Sequence, residues 1–156
     1  LDCLQHRGIL CTFTIVGNPV TDADTEYLHF LNTEIAKRQY PIVNVGPLLH
    51  KDLPDMLSRE DVFLNLSATQ SMDKAVLESM SSGVPVVSSN IAFQKVLESY
   101  GLFCYDNEPE TIAMAIEQYI KRGDKDVICK ELQFYVETKH SLSRLIPAII
   151  QIYVRN

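Results

Sequence analysis

The 156-residue chain carries 14 basic and 20 acidic residues, for a net charge of −6 and a pI of about 5.1. Its length suits one domain with a core of its own, and 46% hydrophobic against 22% charged residues is an ordinary globular balance. The acidic balance excludes a general nucleic-acid or anionic-surface binder, which needs a basic face, but not a single phosphate pocket built from backbone amides.

Leu1 to Arg7 reads as the tail of a helix stopped by Gly8. With Leu rather than Met in first place, the chain is expected to be a fragment of a larger protein. Ile9 to Val16 is an almost unbroken apolar run, the pattern of a strand covered on both faces. Gly17-Asn18-Pro19 forms the turn after it. Thr21 or Asp22 caps a helix through about Arg38, with Tyr27, Leu28, Leu31 and Ile35 at helical spacing. Pro41 to Val45 is a short strand ended by Gly46 and Pro47, and Lys51 to Ser58 is a short helix.

Val62 to Asn90 is the most informative stretch. Val62 to Leu66 reads as a strand and Ser67 to Ser71 as a polar loop. Ser71 can cap a helix from about Met72 to Ser82, with Asp73 in its first turn facing the helix dipole. Val76, Leu77 and Met80 define the core face of that helix, and Glu78 points away from it, beside Lys74. Gly83 stops the helix, and VPVVSS is a second buried strand. Ala92 to Tyr100 is a helix, Gly101 to Tyr105 a weak strand, and Asp106 to Pro109 a turn. Glu110 to Lys121, Asp124 to Lys139 and Ser141 to Val154 are helices, the last with a bend or restart expected at Pro147.

Strands alternating with helices imply βαβ units, a parallel sheet and right-handed crossovers. The chain is read as one α/β, Rossmann-like, doubly wound domain over residues 1–156. In such sheets ligands bind outside the carboxyl ends of the strands. Ser67 and Thr69 follow one strand, and Ser88, Ser89 and Asn90 follow the other.

No apolar run approaches the roughly 20 residues of a membrane span, and no signal peptide is seen. Cys3, Cys11, Cys104 and Cys129 form no C-x-x-C pair. Cys11 and Cys104 fall inside expected strands as small buried hydrophobes, and a reducing, cytoplasmic setting fits best. The four histidines lack partners at metal-ligand spacing, so no metal site is assigned.

The order of elements, with xxLESMSSGVPVVSS after VFLNLS, resembles the carboxyl-terminal, nucleotide-sugar-binding half of retaining GT-B glycosyltransferases of the family-4 type. The most specific part, Ser67 to Ser89, looks like that family's S-x-x-E-x7-E-A-M-A-x-G-x-P-V-V pattern. The resemblance implies that Glu78, at the second glutamate, hydrogen-bonds the ribose of the nucleotide. Read without it, Glu78 is a solvated helix residue paired with Lys74 at i,i+4. Gln70 stands at the first glutamate, which in the family touches the donor sugar near the reacting centre. Gln keeps hydrogen-bonding capacity and loses the charge. Ser71-Met72-Asp73 replaces a G-F-G segment whose glycines let backbone approach the diphosphate.

A variant with Asp-Lys in this place would let Asp73 bind a sugar hydroxyl and Lys74 meet phosphate or sugar. Otherwise Asp73 is a dipole-facing anion and Lys74 a surface cation. Ser67 and Thr69 are expected to hold phosphate oxygens or to cap the turn. Gly17 matches the family's glycine turn in part, and Gly46 to Leu48 stands where the family packs the nucleobase against backbone.

The resemblance further implies transfer of a hexose from a UDP- or GDP-linked donor, with anomeric retention and no other cofactor. Its Arg and Lys clamp, first central strand and acceptor-binding amino-terminal half would precede Leu1. This chain alone is therefore expected to be inactive, and any peripheral membrane contact to come through the parent protein. The alternative is a non-catalytic GT-B-like binding or assembly module.

Overall fold

The computed structural model describes residues 1–37 and 41–154. Arg38, expected at the end of the second helix, lies outside them. The chain separates into two compact units, Leu1–Leu53 and Pro54–Asn156.

The first unit holds α1 (Asp2–His6), β1 (Phe13–Val16), α2 (Asp22–Lys37) and β2 (Ile42–Gly46). β1 and β2 pair in parallel from Phe13↔Ile42 to Val16↔Gly46, with an irregularity between Ile15 and Val16. A reciprocal cap starts α2. The Asp24 amide donates to Thr21 Oγ1 at 3.2 Å, and the Thr21 amide donates to Asp24 Oδ2 at 2.9 Å. These bonds, with one from the Val20 amide, hold the Asp24 carboxyl below its ordinary value.

The expected strand at Ile9 is shorter than its apolar run. Only Phe13 to Val16 pairs, Leu10 is 91% exposed, and Cys11 lies ahead of the strand, half-buried. The cause is the size of the sheet, since β1 has one partner strand and no layer within the unit buries it. α2 likewise buries none of its residues; Tyr27 stacks on Phe30 at the surface instead of entering a core.

A 3-10 turn at His50–Asp52, the last turn of the first unit, leads into α3 (Leu53–Leu57), which carries the chain into the second unit. It is followed by β3 (Phe63–Asn65), α4 (Lys74–Ser81), β4 (Val86–Ser88), α5 (Gln94–Leu97), α6 (Pro109–Ile120), α7 (Lys125–Lys139) and α8 (Leu142–Val154). β3 and β4 pair in parallel, Phe63↔Val86 through Asn65↔Ser88. Each unit therefore contributes one two-stranded parallel sheet to a mixed α/β chain.

The core of this unit is apolar and dense. Val76 and Met80 from α4, Val86 and Val87 from β4, and Phe93, Leu97 and Leu102 are wholly buried. α7 adds Ile128 and Leu132, and its Gln133 Nε2 donates to the Ser81 carbonyl at 3.0 Å. Gly83 ends the α4 turn at φ +80°, a conformation a side chain resists, and a Cβ there would meet Gln133 Nε2 at 3.2 Å. Ser79, outside the expected core face, is fully buried and donates from its hydroxyl to the Val84 carbonyl at 3.3 Å.

Three more expectations shift. Gly101 to Tyr105 forms only a single bridge, Ser88↔Phe103, although Cys104 is buried as expected. The Ala92 to Tyr100 helix is one short α-turn between two 3-10 turns, ended by Gly101 at φ +70°. α8 runs through Pro147 without a break; Pro147 has no amide to donate to Ser143, an exposed residue. α8 buries none of its residues.

Candidate functional site at the ends of two parallel strands

β3 ends on Asn65 and β4 ends on Ser88, in register. Their side chains meet, Ser88 Oγ donating to Asn65 Oδ1 at 2.9 Å. The remaining half of the Asn65 amide, Nδ2, donates to Asp73 Oδ2 at 2.8 Å. Asn90, 1% exposed, donates from Nδ2 both to the Ser71 carbonyl at 2.9 Å and to Asp73 Oδ2 at 3.2 Å. Its Oδ1 caps the next turn by accepting from the Ala92 amide at 3.0 Å, and its own amide donates to Ser88 Oγ at 3.0 Å. Buried amides left without partners cost about 1–3 kcal/mol each, which explains why these polar groups close on one another.

Asp73 is the hub. It precedes α4 in extended conformation but caps no amide of the helix with its side chain. The helix accordingly begins at Lys74, two residues later than expected, because the Asn65 and Asn90 amides take the carboxylate that would otherwise face the helix. Its other oxygen, Oδ1, accepts from Ser71 Oγ at 3.3 Å and from Thr69 Oγ1 at 3.4 Å. The Asn65 amide foremost, then Asn90, Ser67 and Ser71, hold this carboxyl below its ordinary value, although desolvation pushes the other way.

Ser67, Thr69 and Ser71 form a ladder, with Ser67 Oγ to Thr69 Oγ1 at 2.9 Å and Thr69 Oγ1 to Ser71 Oγ at 2.9 Å. Between the last two, Gln70 is exposed and takes a left-handed backbone at φ 58°, rare for a residue with a side chain. Met72 is 43% exposed. Lys74 Nζ lies 3.3 Å from Glu78 Oε1, so the i,i+4 pair is formed. Ser67, Thr69, Gln70, Ser71, Met72, Asp73, Lys74 and Glu78 thus share the loop and first turns beside the two strand ends.

Gly17, Gly46 and Leu48 belong to the other unit. There the two turns are joined, the Gly17 amide donating to the Gly46 carbonyl at 3.1 Å. The Gly46 amide in turn donates to Asn44 Oδ1 at 3.1 Å.

Asn65 escaped the sequence reading, which took it as part of an apolar strand. The available signal was an amide at the last inward step of VFLN, where apolar alternation would place Leu or Val. The Asp-x-Asp pairs at Asp22/Asp24 and Asp124/Asp126 both sit at helix starts, Asp24 in the α2 cap and Asp124 held by Arg122 at 2.8 Å. Among the described residues no cluster of three His, Cys, Asp or Glu is arranged to hold a metal ion.

The profile of the family described as glycosyl transferases group 1 matches residues 3–122. The chain belongs to that family. The glycosyl transferase match takes in both units as far as the end of α6, including the whole polar hub, and leaves α7 and α8 outside. No match was found among curated proteins or among solved structures. Among the described residues no helix is long and apolar enough to cross a membrane.

Proposed function

We propose that the second unit binds the nucleotide-sugar donor of a glycosyl transfer, in the manner of the carboxyl-terminal half of a retaining, family-4-type GT-B enzyme within a doubly wound fold. The observation that carries this reading is the amino end of α4, where no side chain caps the helix. That end lies beside the carboxyl ends of two parallel strands, inside the segment matched to the family. An uncapped helix start presents backbone amides and the positive end of the dipole, which suits the diphosphate of a UDP- or GDP-linked hexose. No metal is needed for that contact. As the sugar leaves, these amides and Lys74 would stabilise the charge that grows on the departing diphosphate.

Glu78 is assigned the ribose. Its i,i+4 pair with Lys74, open to solvent on the Lys74 side, is worth only about 0.3–0.5 kcal/mol, so that contact itself is cheaply exchanged for a ribose diol and a phosphate. Gln70 reaches outward from its left-handed turn and is assigned to the sugar, with Met72 against its apolar face. The resemblance alone carries the expectations at Gly17, as the family's glycine turn, and at Gly46 to Leu48, as the nucleobase position. The acceptor, a further acceptor-binding domain and a cytoplasmic setting complete the proposal; the family match lends nothing to a purely structural module.

Calorimetric titration with UDP and GDP tests the assignment. A Glu78→Gln change should weaken binding by about 1.5–3 kcal/mol, the worth of a hydrogen bond to a charged group. Unchanged affinity for every nucleotide that binds the parent chain would refute the ribose role.

A further inference from the structure

Resting on that donor-binding reading, we infer that Asp73 sets the hydrogen-bonding polarity of the Ser67–Ser71 loop, so that its three hydroxyls accept from the hydroxyls of the donor sugar and do not donate to phosphate. The inference comes from counting protons. Each hydroxyl has one proton, and an ionised carboxylate has none. Ser71 Oγ lies 3.3 Å from Asp73 Oδ1 and must donate there. Its oxygen can then only accept from Thr69 Oγ1, 2.9 Å away. Thr69 Oγ1, its proton used on Ser71 or on Asp73 itself at 3.4 Å, can only accept from Ser67 Oγ at 2.9 Å. Ser67 Oγ also accepts from the Thr69 amide at 3.3 Å, which leaves its own proton for Thr69.

The order that gives each of these contacts a proton runs Ser67 to Thr69 to Ser71 to Asp73, all three protons turned inward and the lone pairs outward. A proton turned outward would leave two oxygens in contact at 2.9 Å with nothing between them. A phosphate oxygen, itself only an acceptor at neutral pH, finds no proton on the ladder to accept and is a poor match. A sugar hydroxyl, which can donate, is a good one. The expectation that Ser67 and Thr69 hold phosphate is thus replaced by a division of labour, with phosphate on backbone amides and sugar on the ladder. Asn65 and Asn90 are positioning residues in this scheme, since they fix the carboxylate on which the direction of donation ends.

The test compares UDP and GDP with UDP-glucose, GDP-mannose and their monodeoxyfluoro derivatives, in which fluorine keeps the size of a hydroxyl and cannot donate. The expected result is that at least one deoxyfluoro position loses roughly 3–10-fold in affinity relative to its parent sugar, the worth of one hydrogen bond. Thr69→Val should remove that sensitivity and weaken the sugar conjugate more than the bare diphosphate. Asp73→Asn, which frees the ladder's protons, should narrow the preference for sugar conjugate over diphosphate. Amide spectra of each variant confirm that it folds, and Ser67→Ala provides a second break in the ladder should either fail. If the diphosphates bind but every deoxyfluoro conjugate binds like its parent, the polarity inference falls and the donor-binding reading stands. The inference also falls if Thr69→Val weakens conjugate and diphosphate equally. If no nucleotide binds at millimolar concentration, the donor-binding reading falls and takes the inference with it.

Discussion

Replacing Asn90 by Ala should loosen the loop that carries most of the candidate site. The side chain is 1% exposed and makes three hydrogen bonds, to the Ser71 carbonyl, to Asp73 Oδ2 and from the Ala92 amide. Loss of the turn cap costs about 1 kcal/mol. Loss of the bond to the charged Asp73 costs about 1.5–3 kcal/mol, and loss of the neutral bond about 1 kcal/mol. Because the bonds share one network they do not add fully, and about 2–4 kcal/mol is expected.

Urea denaturation followed through the amide resonances of β3 and β4 reads the effect in the unit concerned. Hydrogen exchange at Ser67 to Asp73 should accelerate together with it. Asn90→Asp is the sharper control. It keeps the acceptor for Ala92 and turns the donor at Asp73 into a second carboxylate, so it should be worse than Ala. A loss below about 0.5 kcal/mol for Ala, within the scatter of surface changes, would refute the hub. So would an Asp variant as stable as the parent.

Gly83→Ala should cost about 1–2 kcal/mol, since Gly83 sits at φ +80° and the new Cβ would press on Gln133 within 3.2 Å; thermal unfolding reads it, and an unchanged midpoint would contradict the turn geometry. Stability should also depend on pH in a stated direction. Asp73 and Asp24 are both held below their ordinary values, chiefly by Asn65 and by Thr21 respectively. Their contribution is present above the unfolded value of about 3.9 and is lost as pH falls through the lower folded values. Urea midpoints should therefore stay level from about pH 7 to pH 5 and fall below about pH 4, and Asp73→Asn should shrink that fall. A fall beginning near pH 6 would contradict this assignment.

Much of the chain was legible because local signals and tertiary packing agree. Gly83 and the apolar Val84 to Val87 run define a stop and a buried stretch, and all of that run is buried although the strand itself is only Val86–Ser88. The amphipathic spacing of Ile112, Ala115, Ile116, Tyr119 and Ile120 likewise predicts the buried face of α6, except that Ile120, at its last position, is exposed. The failures lie where context overrides pattern. Ile9 to Cys11 is apolar enough for a strand, yet pairing in a two-stranded sheet ends at Phe13. Asp73 carries a strong helix-start signature, but two amides brought in from β3 and from beyond β4 take its carboxylate, and neither partner is near it in sequence. Glu78 was legible only in part. Its spacing from Lys74 announces the ion pair, whereas its role toward a ligand rests on the family.

Amide chemical-shift mapping with UDP, GDP and their hexose conjugates tests the central claim most directly. Donor binding at the uncapped end of α4 predicts saturable shifts over Ser67 to Glu78 and at Ser88 to Asn90, larger for the conjugate than for the bare diphosphate. The absence of any response from these residues at millimolar ligand would contradict it.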